Sequence, residues 1–266
     1  MEFYKYQGTG NDFIIIDDRQ RQFPVGNKAY IEQLCNRRFG IGSDGLILLQ
    51  TQVDGSYYMC YFNSDGAESS MCGNGGRCFA QFIFDMGLAE SEIRFTAIDG
   101  IHQAHVMHSR SGESWIALEM IPVNEVKIIG NEKFELNTGS PHYVAFIEES
   151  VSEIPLISLA KTIRYNETYA QQGINVNFVN LQGLHNLCMR TYERGVEDET
   201  YSCGTGATAA ALSAAIFANL PAGKHTTHIA VPGGDLAIQF TLNTNKSAFS
   251  DIWLMGPAQF VFKGHF

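Results

Sequence analysis

The chain has 266 residues, of which 45% are hydrophobic, and its formal net charge is −10. A chain of this length holds one or two domains, each large enough to bury its own core. No cluster of Lys and Arg is present to neutralise phosphates, which excludes a nucleic-acid partner. No run of about 18 apolar residues predicts a membrane span. The first five residues lack the pattern of a signal peptide, so we expect a soluble, cytoplasmic protein.

The first half of the chain predicts a strand-rich region with one long helix. Residues 3–6 and 13–16 are typical of short strands around a Gly-rich turn, and a short helix is expected over residues 28–38. Further strands are predicted over residues 46–49, 57–62, 93–97 and 115–120. Residues 75–87 carry apolar side chains at helical spacing and end at Gly87, which predicts a helix with a glycine stop.

The second half repeats this pattern. A short helix is expected over residues 155–162, followed by strands over residues 175–180 and 187–192. Residues 206–220 are rich in alanine, are apolar nearly all round and stop before Pro221, which indicates a helix buried in the middle of its domain. The last strands are predicted over residues 228–231, 236–242 and 253–255.

The two halves share a phrase that immediately precedes each long helix. It is Cys72-Gly73-Asn74-Gly75-Gly76 in one copy and Cys203-Gly204-Thr205-Gly206-Ala207 in the other. A tyrosine stands eleven residues before each cysteine and a glutamate four residues before it. The two cysteines are 203 − 72 = 131 residues apart, which is far longer than the roughly 20–50 residues of a solenoid repeat. The repeat therefore predicts two homologous domains.

We place the domain boundary near Pro122, where a predicted strand ends and the second copy begins. The predicted first domain is residues 1–122, with a C-terminal strand over residues 257–266 expected to pack on it. The predicted second domain is residues 123–256. We expect the active site in the cleft between the two domains.

The paired cysteines have a specific chemical meaning. A thiol at the first turn of a helix meets unpaired backbone N–H groups and the positive end of the helix dipole, which lower its pKa below the free value of about 8.5. The neighbouring glycines let those N–H groups approach a carboxylate. One thiolate could then remove a proton from the adjacent carbon while the other thiol delivers a proton to the opposite face. The repeat thus suggests stereochemical inversion at carbon.

The other cysteines fit a simpler interpretation. All six are scattered without a CxxC pair, so neither a disulfide framework nor a zinc or other metal site is expected. A lone cysteine is most often a small buried apolar residue. We expect this of the four cysteines outside the repeated phrase, namely Cys35, Cys60, Cys78 and Cys188.

Other function classes match the sequence less well. A dinucleotide-binding loop at Gly8-Thr9-Gly10 lacks its third glycine and leads into a strand rather than a helix. A pyridoxal phosphate racemase needs a Schiff-base lysine, and none of the lysines lies in a motif. A thiol redox protein would keep its cysteines adjacent. A non-catalytic amino acid binding protein remains a more distant alternative, because binding requires no paired thiols.

The chain resembles the diaminopimelate epimerase family from its first residues almost to its last. The resemblance implies an α+β fold of two pseudo-symmetric domains from an internal duplication, each a mixed β-sheet or barrel around a central helix. It also implies cofactor-independent epimerisation of LL- to meso-2,6-diaminopimelate, a step toward lysine and peptidoglycan precursors. The motifs that carry the resemblance are Gly8-Thr9-Gly10-Asn11-Asp12-Phe13, Gly40-Ile41-Gly42-Ser43-Asp44-Gly45, Phe62-Asn63-Ser64-Asp65-Gly66, Met71 to Cys78, Pro141-His142, Tyr192-Glu193-Arg194-Gly195, Cys203-Gly204-Thr205-Gly206 and Pro232-Gly233-Gly234.

The resemblance also assigns roles to particular residues. Cys72 and Cys203 match the catalytic acid and base, and Arg194 is suited to grip a carboxylate in bidentate fashion. The partner implied is the small molecule diaminopimelate, with no cofactor. The oligomeric state stays open, a homodimer being one option. The remaining positions that match substrate contacts are Asn11, Asn63, Gly73, Asn74, Asn175, Glu193, Gly204 and Thr205.

Two positions depart from the family pattern and leave recognition of the distal end of the substrate open. Ser140 stands where an asparagine often precedes the Pro-His pair, and Gly45 stands where a glutamine is often found. His142 is predicted to be an ordinary hydrogen-bonded histidine, the alternative being support of a thiolate. The main rival function is a racemase or epimerase of the same fold acting on proline, hydroxyproline or histidine.

From the residues alone, two of the implied substrate contacts have a simpler interpretation. Asn11, between Gly10 and Asp12, could be a turn former. Glu193 and Arg194 could form a solvated ion pair of little consequence. These alternatives stay open until side-chain contacts are known.

Overall fold

The computed structural model describes residues 1–110 and 113–266 of the chain. These residues form two compact units. The first comprises Met1–Leu118 together with Gly256–Phe266, and the second comprises Glu119–Met255. Each unit combines a mixed β-sheet with helices, so the chain has an α+β fold.

The first unit is built on the N-terminal strands and two helices. Helix α1 connects β2 to β3, and helix α2 connects β4 to β5. The elements are β1 (Glu2–Gly8), β2 (Asn11–Asp17), α1 (Lys28–Cys35), β3 (Gly45–Thr51), β4 (Tyr57–Asn63), α2 (Gly73–Asp85), β5 (Glu92–Ala97), β6 (Gly100–Arg110) and β7 (Glu113–Met120).

The sheet of the first unit curls around α2. Its strands follow the order β1-β2-β3-β4-β5-β6-β7, with parallel pairs between β2 and β3 and between β4 and β5. Helix α2 packs against β1, β2, β3, β5 and β6, and its Phe79, Phe82 and Ile83 are fully buried. Helix α1 covers the other face of the sheet, where Ile31 and Leu34 join a second apolar cluster.

The second unit contains the remaining elements. Helix α3 connects β10 to β11, and helix α4 lies between β13 and β14. The elements are β8 (Lys127–Gly130), β9 (Lys133–Asn137), β10 (Pro141–Phe146), α3 (Leu156–Arg164), β11 (Asn175–Gly183), β12 (Asn186–Glu193), β13 (Asp198–Thr200), α4 (Gly204–Phe217), β14 (Gly223–Val231), β15 (Gly234–Leu242) and β16 (Phe249–His265), which continues into the first unit from Gly256.

The sheet of the second unit encloses α4 in the same manner. The strand order is β8-β9-β10-β11-β12-β14-β15, and β15 pairs with the first part of β16. Helix α4 packs against β9, β10, β11, β12, β14 and β15. It is buried nearly all round, as the sequence predicted, and six of its 14 residues are alanine.

The two units repeat one connectivity. Each has a parallel pair bridged by a short helix, β2–β3 and β10–β11, and a second parallel pair bridged by the central helix, β4–β5 and β12–β14. Antiparallel pairs join β3 to β4 and β11 to β12. The predicted α+β fold with an internal duplication is confirmed.

The long helices differ from prediction mainly in where they begin and end. Both begin two residues earlier than predicted, at Gly73 and Gly204, which makes the preceding cysteine the N-cap. Helix α2 is followed by Gly87 with φ 66°, the expected glycine stop. Helix α4 ends at Phe217, earlier than predicted, because Asn219 turns into the left-handed region with φ 50° before Pro221.

The short helices and several strands also differ from prediction. Helix α1 ends at Cys35 because the Oδ1 atom of Asn36 accepts hydrogen bonds from the backbone of Arg38 and Phe39 and forms a turn. Strands β6 and β9 were not predicted: β6 has a mixed polar sequence, whereas β9 is only five residues long although its polar and apolar residues alternate. None of the helices in residues 1–110 and 113–266 is both long enough and apolar enough for a membrane span.

Candidate active site

The two cysteines of the repeated phrase occupy the same position in their units. Cys72 is the N-cap of α2, with φ −88° and ψ 131°, and its carbonyl accepts a 2.7 Å bond from Gly76. Cys203 is the N-cap of α4, with φ −120° and ψ 106°, and its carbonyl accepts a 2.8 Å bond from Ala207. Extended backbone at an N-cap points the side chain past the helix end, beside the first-turn N–H groups. Gly73 and Gly204 are the first helical residues.

In the first unit, Asn11 links three predicted site residues. Its Oδ1 atom lies 3.7 Å from Sγ of Cys72 and 3.2 Å from Nδ2 of Asn74. Its Nδ2 atom donates a 2.6 Å bond to the carboxylate of Asp44, which fixes the direction of the amide. Asn11 therefore presents an oxygen to the cysteine, and a turn-forming role alone does not describe it.

Asp44 belongs to a charged cluster that supports this amide. Asp44 and Asp12 share the guanidinium of Arg37, with N–O distances of 2.7 and 2.6 Å. Nζ of Lys5 lies 2.8 Å from the carboxylate of Asp12. Burial alone would raise the pKa of Asp12, but the bonds from Arg37 and Lys5 lower it to about 2. Asp12 is thus ionised at neutral pH, and the cluster holds Asn11 at the start of β2.

Gly45 and Asn63 lie opposite each other in neighbouring strands of the first unit. Gly45 offers no side chain to a substrate. A Cβ atom there would lie 2.6 Å from Cε2 of Tyr61 and 2.7 Å from the carbonyl oxygen of Phe62. The packing around Gly45 therefore does not accommodate a glutamine side chain. Asn63 ends β4 with an exposed side chain, and its backbone closes a turn with Gly66.

In the second unit, Thr205 connects Cys203 to His142. The hydroxyl of Thr205 lies 3.5 Å from Sγ of Cys203 and 2.9 Å from Nε2 of His142. Its carbonyl accepts a 2.8 Å bond from Thr138. Burial, together with the positive charge of Arg194, lowers the pKa of His142 to about 3, so the imidazole is neutral at pH 7. Thr205 therefore links His142 to the cysteine.

A second polar group in this unit gathers the predicted residues near the end of β12. The buried amide of Asn175 donates a 2.9 Å bond to Oγ of Ser140 and accepts a 2.8 Å bond from the backbone N–H of Arg194. The guanidinium of Arg194 reaches Ser140 at 3.4 Å and the carbonyl of Gln172 at 3.1 Å, and the side chain is exposed. Glu193 precedes it and is partly buried. Ser140 therefore bridges Asn175 and Arg194.

A buried arginine lies one turn into α2. Arg77 is fully buried and donates to Oγ1 of Thr9 at 3.1 Å and to the carbonyls of Pro257 and Gly73 at 3.4 and 3.5 Å. Burial lowers its pKa to about 10, so it stays charged at neutral pH. It thereby places a positive charge behind the Cys72-Gly73 end of the helix.

The sequence prediction missed several residues that hold the site together. Asp44 lies in a quoted motif, but its link to Asn11 depends on the pairing of β2 with β3. Asn177 on β11 contacts His142 on β10, and Thr191 on β12 contacts Asn177. Their sequence signal was a polar residue at an inward-facing position of an apolar strand. Arg77 followed the repeated phrase but had no counterpart in the second copy, where Thr208 stands.

The neutral, buried imidazole of His142 predicts a specific loss of stability in mild acid. In the unfolded chain a histidine binds a proton near pH 6.5, whereas the folded protein resists protonation until about pH 3. The stability that this difference provides is complete above pH 6.5 and is lost as the pH falls toward 3. Asp12, with its pKa of about 2, affects stability only below about pH 4.

Urea unfolding at pH 7 and pH 5 measures this effect. Between these values the wild-type protein is expected to lose about 2 kcal/mol more unfolding free energy than a His142→Gln variant. Other histidines contribute equally to both proteins and cancel in the difference. An equal pH dependence in the two proteins would contradict a neutral buried His142.

Across the part of the chain that the structure describes, no three His, Cys, Asp or Glu side chains are grouped so that they could hold a metal ion. The polar atoms at the two helix starts are instead backbone N–H groups, amides and hydroxyls. These groups suit the carboxylate and ammonium of an amino acid.

Comparison with solved structures shows the same fold in several proteins. A phenazine biosynthesis protein of the PhzF family from Bacillus anthracis superposes with a TM-score of 0.73 at 13% identity, covering 99% of this chain and 98% of that one. A hydroxyproline epimerase from Agrobacterium vitis superposes with a TM-score of 0.65 at 14% identity, covering 99% and 91%. At such low identities the likeness concerns the fold alone.

Sequence comparison is more specific. The family model described as diaminopimelate epimerase matches residues 3–120 and again residues 134–261. The diaminopimelate epimerase of Flavobacterium psychrophilum is 48% identical over 263 residues, covering 99% of both chains. That of Methanocella arvoryzae is 38% identical, covering 99% of this chain and 96% of its own. With a family match in each half and relatives that align over almost its whole length, the chain belongs to the diaminopimelate epimerase family.

Proposed function

We propose that this protein epimerises LL-2,6-diaminopimelate to meso-2,6-diaminopimelate and that Cys72 and Cys203 are its paired base and acid. The observation that carries the proposal is the equivalent position of the two cysteines, each the N-cap of the central helix of its unit. Membership of the diaminopimelate epimerase family supports the substrate. The role is that of an isomerase supplying lysine and peptidoglycan precursors.

The proposed reaction moves two protons and needs no net electron transfer. A thiolate on one cysteine takes the α-proton of the substrate and becomes a thiol, leaving the electron pair on the α-carbon. The thiol of the other cysteine gives its proton to the opposite face of that carbon and becomes a thiolate. The mechanism requires both sulfurs to reach the α-carbon of one bound molecule. The reverse reaction exchanges the two roles.

The first-turn N–H groups of the helices would stabilise the reacting carboxylate while negative charge develops beside it. Backbone donors at a helix N-terminus suit an anion, and Gly73 and Gly204 keep them accessible. Arg77 adds a buried positive charge behind one of these helix ends. We propose Asn11, Asn74 and Thr205 as contacts to the reacting amino acid end. Their hydrogen bonds to one another or to the cysteines support this role.

The non-reacting end of the substrate needs a separate polar cradle. We propose that Arg194 binds the carboxylate of this end. Its ammonium group is bound by Glu193, Asn175 and Asn63. The exposed guanidinium of Arg194, braced by its bonds to Ser140 and Gln172, is suited to a bidentate carboxylate contact. Gly45 contributes space and no side chain.

Proton exchange in heavy water tests the proposed function and its substrate together. The protein is incubated in D₂O without added cofactor, separately with LL-diaminopimelate, L-proline, trans-4-hydroxy-L-proline and L-histidine. Proton NMR follows exchange at the α-carbon, and chiral chromatography follows inversion. We expect inversion of diaminopimelate only, with deuterium entering the product well before the remaining substrate.

Two outcomes would contradict the proposal in different ways. Inversion of proline, hydroxyproline or histidine without turnover of diaminopimelate would replace the substrate but keep the paired thiols. Equal labelling of substrate and product from the first turnovers would replace the two thiols with a single mobile base.

A further inference from the structure

The two units differ in the layer of side chains directly beneath the first turn of the central helix. Under α2, the positions nearest Gly75 are the apolar side chains of Phe13, Ile47 and Met59. Under α4, the atom nearest Gly206 is the amide oxygen of Asn177. The duplicated backbone therefore rests on an apolar layer in the first unit and a polar one in the second.

The polar layer is fully buried and hydrogen-bonded. His142 and Asn177 are 0% exposed and Thr191 is 2% exposed. Burying such groups costs free energy unless each finds a partner, and here the partners form one continuous chain. The distances are 2.9 Å from Thr191 to Asn177, 3.2 Å from Asn177 to His142, 2.9 Å from His142 to Thr205 and 3.5 Å from Thr205 to Sγ of Cys203.

The directions of the hydrogen bonds from Thr191 through Asn177 and His142 to Thr205 follow from which atoms can only donate or only accept. Nδ2 of Asn177 donates to the backbone carbonyl of Tyr143 at 2.9 Å, and a carbonyl can only accept, so Oδ1 must face Thr191 and receive its hydroxyl proton. The same Nδ2 then donates to Nδ1 of His142. A neutral imidazole that accepts at Nδ1 carries its proton on Nε2 and donates it to Thr205.

The last step reaches the cysteine. The hydroxyl oxygen of Thr205 accepts a hydrogen bond from Nε2 of His142, and its own proton can be donated to Sγ of Cys203, 3.5 Å away. A hydrogen bond donated to sulfur favours the thiolate over the thiol.

We propose that Asn177 and Thr191 are positioning residues that fix the tautomer of His142 and thereby direct the hydroxyl proton of Thr205 onto the sulfur of Cys203. This rests on the proposed function in assigning Cys203 to the reaction. In the first unit, Asn11 presents an oxygen to Cys72, and the side chains nearest Gly75 are apolar. The two thiols are therefore tuned by different means.

Several other titratable groups of the second unit lie around this chain. Arg194 acts on His142 through its charge and helps to keep the imidazole neutral. Tyr143 and Tyr192 pack in the apolar cluster with α3 on the other face of the sheet. Glu135 on β9 is engaged by Tyr169 and Lys127, and Glu193 follows Tyr192 at the end of β12.

Alkylation of the two cysteines tests the proposal without using turnover. The full-length protein reacts with limiting iodoacetamide between pH 6 and 9, and mass spectrometry of peptides gives the labelling rate of Cys203 relative to Cys72 in the same molecules. We compare wild type with Thr191→Val, which removes the hydroxyl at nearly constant volume, and with Thr191→Ser, which keeps it. Asn177→Leu removes the amide entirely.

We expect Thr191→Val to slow labelling of Cys203 about threefold and Asn177→Leu about tenfold or more, with the pH midpoint of Cys203 moving upward and Cys72 unaffected. Thr191→Ser should restore the wild-type ratio. Thermal unfolding checks that each variant is folded. If Asn177→Leu does not fold, the comparison of Thr191→Val with Thr191→Ser still tests the proposal. An unchanged ratio in Thr191→Val would overturn the proposal. The labelling ratio does not depend on turnover. A failure of the proposed function, seen as no turnover of diaminopimelate, is therefore distinguished from a failure of this proposal.

Discussion

Replacing either Cys72 or Cys203 with alanine is expected to reduce kcat/KM for diaminopimelate epimerisation by about a thousandfold or more. Removing one thiol takes away the proton donor or acceptor on one face of the α-carbon, and a single positioned acid or base contributes about 10²- to 10⁴-fold. The remaining thiol can still remove and return a proton on its own face. Each variant should therefore exchange the α-proton of one stereoisomer slowly in D₂O without inverting it.

Cys188→Ala is the matched control for these variants. Cys188 lies within β12, where it pairs with Ala230 of β14, and it is not part of either helix start. Its activity should stay close to that of the wild type. Near-normal inversion by either Cys72→Ala or Cys203→Ala would remove that cysteine from the mechanism. An equal loss in Cys188→Ala would contradict a special role for the two N-cap cysteines.

The duplication was predictable because the residues that define it are local in the sequence. The phrase after each cysteine is glycine-rich for a reason that acts within a few residues: a helix begins there and its first N–H groups must stay accessible. Gly87 and Pro221 mark helix ends for equally local reasons. Such signals indicate the two units before any strand pairing is known.

The partners of the site residues were not predictable in this way. Asn177 meets His142 only because β10 and β11 pair in parallel with a register that aligns His142 with Asn175. Asp44 reaches Asn11 through the corresponding pairing of β2 with β3. A shift of either register by one residue would turn each side chain to the other face of the sheet. A sequence without an alignment contains no signal for that register.

The two related phrases have different surroundings, and the comparison of the two units explains why. The backbone geometry at the helix starts depends on the glycines, and both copies keep it. The second layer faces only the interior of its own unit, so each copy can change there independently. In the first unit Arg77 and Asn11 lie near the cysteine, and in the second unit Thr205 and His142 do. The two cysteines therefore hold equivalent positions, whereas the polar and charged residues around them differ between the units.

This difference predicts opposite results for the same substitution at the two copies of one glycine. A Cβ atom at Gly206 would lie 2.5 Å from Oδ1 of Asn177 and 3.3 Å from Sγ of Cys203. We expect Gly206→Ala to lower the unfolding free energy by about 1–3 kcal/mol through overpacking. Because the clash falls on the residue that orients His142, most epimerase activity should be lost as well.

Gly75→Ala provides the matched control, since Gly75 holds the same place in the first phrase. Its added Cβ atom would meet only the ends of three side chains at 3.4 Å, an ordinary contact distance. Alanine is favoured over glycine within a helix by about 0.5–1 kcal/mol, so this variant should be as stable as the wild type or slightly more stable. Urea unfolding and kcat/KM for diaminopimelate measure both variants.

A double variant separates the clash from the function. Combining Gly206→Ala with Asn177→Ala removes the amide oxygen that the new Cβ atom would meet, so much of the lost stability should return. Activity should remain low, because His142 no longer has the donor that fixes its tautomer. Equal losses in Gly75→Ala and Gly206→Ala would instead mean that the substitution acts on the shared helix start, and that the buried polar layer does not distinguish the two halves.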